Sequence, residues 1–190
     1  MTFDFAAARQ TMVESQVRVN DVTDLTIQTA MRQVPREAFC PEGRVHMAYA
    51  DAEVEYAPGR WLLRPRDAAK LLQAVRPRAG EKALCIAAPY LAALLDDMGL
   101  IVTRLNDGDL TAPPAGPFDL VVCEGAVADA PAAWTSVLAD GGRLGVVVRK
   151  GPVGKVRVYV KPAADLGWRE VFDATPPLMA GFEPVAGFAF

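Results

Sequence analysis

Hydrophobic positions recur along this chain at two different spacings. In the first third the spacing is helical. "DLTIQTAMRQV" sets Ile27, Ala30, Met31 and Val34 at i, i+3, i+4 and i+7, with Thr23 or Asp24 available to cap the start and Pro35 to stop it. "RQTMVESQVRV" reads as an earlier, more polar helix. "RDAAKLLQAV" gathers Ala68, Leu71, Leu72 and Val75 on one face and ends at "RPRAGE". Between these helices, "FCPEGRVHMAYADAEVEYAPGRWLLRP" is broken by proline and glycine and holds no sustained period, so it reads as irregular.

From Lys82 the rhythm changes. "KALCIA" is a short apolar run of the kind found in strands covered on both faces. "YLAALLDDMG" carries a stripe of Leu91, Leu94, Leu95 and Met98; "LIVTRL" and "FDLVVC" follow as strands. "APAAWTSVLADGGR" reads as a helix with Ala130, Trp134, Val137 and Leu138 inward, ended by Gly141-Gly142. "RLGVVVR" is a further strand. "KVRVYVK" alternates, with Val156, Val158 and Val160 on one face, as an antiparallel hairpin partner or edge does. "WREVFDA" and "AGFAF" offer final strands. Strands alternating with helices predict an α/β fold with a mostly parallel sheet. The expected organisation is a single domain over 1–190, with a helical portion over 1–78 packed on a sheet portion over 79–190.

Composition changes this picture little. The chain has 190 residues, 52% of them hydrophobic, with a formal net charge of −3, so no basic surface points to nucleic acid. No apolar run is long enough for a membrane span, and the opening residues lack a basic segment followed by an apolar one, so a cytoplasmic location is expected. Three scattered cysteines and one histidine, His46, provide neither a disulfide framework nor a metal site.

Several stretches carry more specific information. "MVESQV", "AMRQVPREAFCP" at residues 30–41, "AYAD", and the long run "FDLVVCEGAVADAPAAWTSVLADGGRLGVVV" together resemble the protein-L-isoaspartate O-methyltransferase family. The resemblance implies a seven-stranded Rossmann-like methyltransferase fold. It also implies methyl transfer from S-adenosylmethionine to the α-carboxyl of isoaspartyl residues in damaged proteins.

Four parts of the site implied by that resemblance are altered. Where the family has an acid and a Gly-x-Gly-x-Gly turn after the first strand, this chain has Cys85 and then Ala87-Ala88-Pro89. Glycine serves there because a Cβ obstructs the cofactor and the turn uses unusual backbone angles. Proline removes a backbone donor, though it suits the first turn of a helix. At the end of the second strand, where the family has a ribose-binding carboxylate, stand Leu105 and Asn106. Asp107 and Asp109 follow in an Asn-Asp-Gly-Asp segment that also reads as a simple turn. The third strand and its helices, which hold the adenine, are expected to be deleted: only residues 106–117 lead to the next strand, near the minimum of about a dozen for a parallel crossover, and they are rich in proline. In the substrate loop, Trp61 and Leu63 replace the family's threonine and serine, while Gly59 and Pro65 keep the register.

Two readings follow. In the first, the scaffold is catalytically inactive, with no catalytic residue and no cofactor. It binds an unidentified protein or associates with itself, through features that include the helical first third, His46 and the aromatics Tyr49, Tyr56 and Trp61. In the second, a rebuilt site still uses S-adenosylmethionine, held by Asp107, Asp109 or Glu124. A small ligand at the strand ends is a further possibility. Cys85 and Cys123 end adjacent strands there, either as a thiol pair or as small apolar residues.

Overall fold

The structure is a computed structural model that describes residues 4–162 and 166–184. The strand expected at "AGFAF" lies outside the described residues. Helix α1 (Phe5–Met12) starts on Asp4, whose carboxylate accepts a bond from the amide of Ala7 at 3.0 Å. It continues through a π-turn over Val13–Val17 and a 3₁₀ turn over Arg18–Asn20, so the stretch predicted as one helix changes its winding twice. Helix α2 (Leu25–Gln33) is capped by Asp24, which takes the amides of Thr26 and Ile27. The irregular stretch contains 3₁₀ turns over Arg36–Phe39 and Glu42–Met47. It also contains a small hairpin of β1 (Val54–Ala57) and β2 (Arg60–Leu62), too short to register as periodicity. Helix α3 (Pro65–Val75) has proline in its first turn, as expected of that residue.

The second part alternates as the sequence predicts: β3 (Lys82–Ile86), α4 (Pro89–Asp97), β4 (Ile101–Leu105), β5 (Phe118–Val127), α5 (Ala132–Ser136), β6 (Leu138–Val148), β7 (Lys155–Val160) and β8 (Gly167–Asp173). The sheet order is β4-β3-β5-β6-β7-β8. The first four strands run parallel, and β7 and β8 are antiparallel. Among the described residues nothing pairs beyond β4, and residues 106–117 contain neither helix nor strand. The link is pinned by Leu110, buried and accepting a bond from the Trp134 indole at 2.7 Å.

One element departs from expectation. Helix α5 stops at Ser136 and β6 begins at Leu138, where a helix ended only by Gly141-Gly142 was expected. The hydroxyls of Thr135 and Ser136 bond back to the carbonyls of Ala132 and Ala133, which competes with helix continuation. Gly141, at φ +73°, then leaves the helical region altogether.

Side chains alternate between two cores. Leu120, Val122, Val147 and Val156 face helices α1 to α4, whereas Val121, Leu144 and Val146 face Trp134 and Leu110. Helix α3 crosses β6 at Gly145, where a Cβ would lie 2.6 Å from Val75. Its carboxyl end is closed by Arg143. The guanidinium donates to the carbonyls of Val75 and Arg76, both at 2.6 Å, and to that of Asp119, and it forms a two-pronged pair with Glu81. Those helix-end carbonyls have no partner within the helix, and a cation suits that end of the dipole. Arg143→Met keeps the stem and loses all of these bonds. Its expected cost is about 3 kcal/mol of stability in urea unfolding.

Candidate active site

The place where α/β sheets hold ligands lies beyond the carboxyl ends of β3 and β5. Strand β3 gives way to Ala87 at φ +45°, a left-handed conformation that costs a residue with a Cβ about 1–2 kcal/mol. The amide of Ala87 donates to the Leu105 carbonyl at 2.9 Å, and that of Ala88 donates to Asn106 Oδ1 at 3.3 Å. Pro89 opens α4. The side chain of Asn106 is therefore committed to the turn, and Leu105 packs against the second core. Ala87 and Ala88 are fully buried. Asp107 and Asp109 sit on the exposed turn, where Asp109 accepts the amide and hydroxyl of Thr111, bonds that pull its carboxyl below the usual range.

Glu124 is turned inward. The register of β5 on β6 shifts between Val122 and Ala126, and the Glu124 side chain is fully buried. Its Oε1 accepts the amide of Leu63 at 3.2 Å and its Oε2 that of Leu91 at 3.3 Å, with a further amide bond from Tyr90. Tyr90 and Leu91 lie in the first turn of α4, so the carboxylate sits on the positive end of that helix. Arg36, also fully buried, lies beside it. The guanidinium donates to the carbonyls of Ala48 and Leu63 at 2.8 and 2.7 Å and stacks 4.9 Å over the Tyr90 ring. Arg36 Nη1, Tyr90 Oη and Tyr56 Oη have no hydrogen-bond partner among the described residues. Burial pushes the Glu124 carboxyl up to about 7, against the opposing pull of Arg36 and the three amides.

The comparisons bear on this geometry. No family model matches the chain. Protein-L-isoaspartate O-methyltransferase 1 of Rhodopseudomonas palustris (strain HaA2) is 32% identical over 168 residues, covering 74% of this chain and 69% of that protein. The protein-L-isoaspartate O-methyltransferase of Methylorubrum extorquens (strain PA1) is 32% identical over 178 residues, covering 80% and 77%. The chain belongs to the protein-L-isoaspartate O-methyltransferase family. Its fold is that of solved members. A putative protein-L-isoaspartate O-methyltransferase from Plasmodium falciparum, solved with S-adenosyl-L-homocysteine, superposes with a TM-score of 0.73 at 13% identity over 90% of this chain and 97% of that one. A second protein-L-isoaspartate O-methyltransferase gives 0.73 at 17% identity, over 92% and 67%.

The two positions that the sequence resemblance assigns to the substrate loop are apolar. Trp61 lies half-buried on β2, and Leu63 is fully buried, with its amide on Glu124 and its carbonyl on Arg36. The family-like "VPREAF" segment supplies Arg36. It also supplies Glu37, which pairs with Arg9 at 3.0 Å and takes the hydroxyl proton of Tyr49, so Tyr49 is engaged internally. His46 is exposed and Tyr56 half-buried. Cys85 stands near the end of β3, but Cys123 lies inside β5, which continues to Val127; the two face opposite cores, so they form no thiol pair, and burial raises both thiols. Among the described residues no cluster of histidine, cysteine or acids suits a metal ion, and no helix is long and apolar enough to cross a membrane.

One contributor to this place escaped sequence reasoning. Residues 178–182 lie across the carboxyl end of β5. The Met179 amide donates to the Ala126 carbonyl at 2.9 Å, the Ala128 amide to Phe182, and the Ala180 amide to Gly59. Met179 fills the space over Gly125, where a Cβ would lie 2.6 Å from it.

The raised Glu124 carboxyl has a pH consequence. The folded chain keeps this proton up to about 7, whereas the unfolded chain loses it near 4.5. The contribution to stability is full below the unfolded value and is lost as pH rises through the folded one. Between these two pH values, unfolding of the native chain is expected to lose about 3 kcal/mol relative to Glu124→Gln, in which this slope is absent.

Proposed function

We propose that this chain is a catalytically silent member of its family that acts by binding another protein or a second copy of itself. The observation that carries this reading is Glu124, whose carboxylate occupies the α4 amides that an anionic ligand group would need. The residues present do not fit S-adenosylmethionine. A buried Cβ at Ala87 stands where the family resemblance expects glycine. Asn106 is spent on the Ala88 amide, and the nearby acids Asp107 and Asp109 stand on an exposed turn. Methyl transfer requires the donor carbon held in line with its acceptor at near-attack distance, and Leu63 and Trp61 offer no polar group to orient that acceptor. No transfer step is therefore derived. On this reading residues 1–190 form one domain, in keeping with a single hydrophobic cluster that includes both Met12 and Ala174.

Isothermal titration with S-adenosylhomocysteine up to millimolar concentration tests the reading. The expected result is no heat and no shift in melting temperature. Binding at micromolar strength would overturn it in favour of an S-adenosylmethionine-dependent carboxyl methyltransferase with a rebuilt site; the relatives' names make those proteins protein-L-isoaspartate O-methyltransferases.

A further inference from the structure

Among the described residues the sheet ends at β4, and no strand pairs with its outer edge. Strand β4 pairs with β3 along its whole length, from Ile101 opposite Lys82 to Leu105 opposite Ile86. The Ile101 amide donates to Glu81 and the Leu105 carbonyl accepts from Ala87, so alternate residues of β4 face β3. The main-chain groups of Val102 and Arg104 therefore point outward. Edge strands are usually blunted by proline, lysine, bulges or covering elements. Ile-Val-Thr-Arg-Leu contains no proline or lysine, its register on β3 is unbroken, and Ile101 is 60% exposed. The opposite edge is more heavily defended: β8 pairs with β7 through a register shift and carries Arg169, Glu170 and Asp173, whereas β4 carries one charge, Arg104.

The strand is also complementary to itself. In an antiparallel pairing centred on Thr103, Val102 lies opposite the partner's Arg104 and the two exchange both of their free main-chain bonds. Ile101 then lies opposite the partner's Leu105, and the two threonines face each other, a favourable cross-strand pair. Charge fits the same register. Arg104 reaches Asp96 of α4 at 3.1 Å, both being solvent-exposed. Because α4 ends at Asp97 and the chain re-enters the sheet at Ile101, Asp96 lies toward the start of β4, and Arg104 reaches back past Val102 to meet it. The pairing sets the partner's Arg104 opposite Val102, at the end of β4 where Asp96 lies, so each carboxylate can meet an arginine from either copy.

We propose that the β4 edge is a homodimer interface, in which two copies join β4 to β4 about a two-fold axis through Thr103 and form one continuous sheet. This inference stands apart from the reading of the cofactor site: S-adenosylhomocysteine binding would leave it untouched, and a monomeric chain would leave the titration result untouched.

Disulfide trapping tests the register. Cys85 and Cys123 are buried, so a Cys40→Ser background removes the remaining accessible thiol. Across a non-hydrogen-bonded antiparallel pair the Cα atoms lie about 4.5 Å apart, within disulfide reach. Thr103→Cys in that background is expected to give a covalent dimer on mild oxidation, whereas Ile101→Cys, displaced from the axis, is not. Sedimentation velocity of the unaltered chain at high micromolar concentration should show a dimer. Thr103→Lys, which sets two like charges face to face, should convert it to a monomer whose melting temperature matches that of the unaltered chain diluted until it too is monomeric. A monomer at every concentration would overturn the proposal. So would a dimer that survives Thr103→Lys, or trapping through Ile101→Cys as efficient as through Thr103→Cys.

Discussion

Glu124 is an acid in the middle of an apolar strand, and burying it requires donors on every side. They come from two separate parts of the chain, the first turn of α4 and the backbone after β2, and the buried Arg36 guanidinium adds an opposing charge nearby. An isolated buried carboxylate would cost several kcal/mol, so these donors must be held in place for the fold to tolerate it. The constraint propagates outward. Leu63 donates to Glu124 and accepts from Arg36, which fixes the path from β2 into α3. Arg36 also holds the Ala48 carbonyl, which ties the 3₁₀ region to the same point. This buried polar cluster thus helps fasten the helical first third to the sheet.

On the proposed reading the same cluster decides what the place beyond β3 and β5 can accept. A helix N-terminus attracts anions because its first amides are unpaired. In this chain a strand side chain meets that demand from within. The turn before α4 is closed by Asn106 and lined by alanine, and Met179 covers the end of β5 over Gly125. Each change supports the others: a strand-borne acid on the helix end leaves no need for an anionic ligand there. Loss of the strand beyond β4 belongs to the same remodelling, since it removes a wall of that place and uncovers the sheet edge.

Much of the fold was legible because its signals are local. The Asp24 cap, the prolines that open α3 and α4, and the alternation of apolar runs each depend on a few neighbouring residues. The shortened link after β4 was readable from its length and prolines. The β1–β2 hairpin was hidden by its brevity and its irregular register, and the early end of α5 by hydroxyls that bond back into the helix. At the site, the altered positions Ala87, Asn106 and Leu63 could be located from the surrounding family-like segments. The role of Glu124 could not, because its amide donors lie 33 and 61 residues away along the chain. The available signal was an acid inside the run "LVVCEGAV", which marks a buried charge in search of partners. Arg36 and the segment over β5 gave no comparable sign.

The most direct measurement of this account is an NMR pH titration that follows the backbone amides of Leu63 and Leu91. If Glu124 sits on both, the two resonances shift together with a common midpoint near 7, and Glu124→Gln abolishes the transition. If the two amides pass through that range without a shared transition, or keep it in the Glu124→Gln variant, the carboxylate does not occupy the end of α4 and the place beyond β3 and β5 is not closed in the manner described.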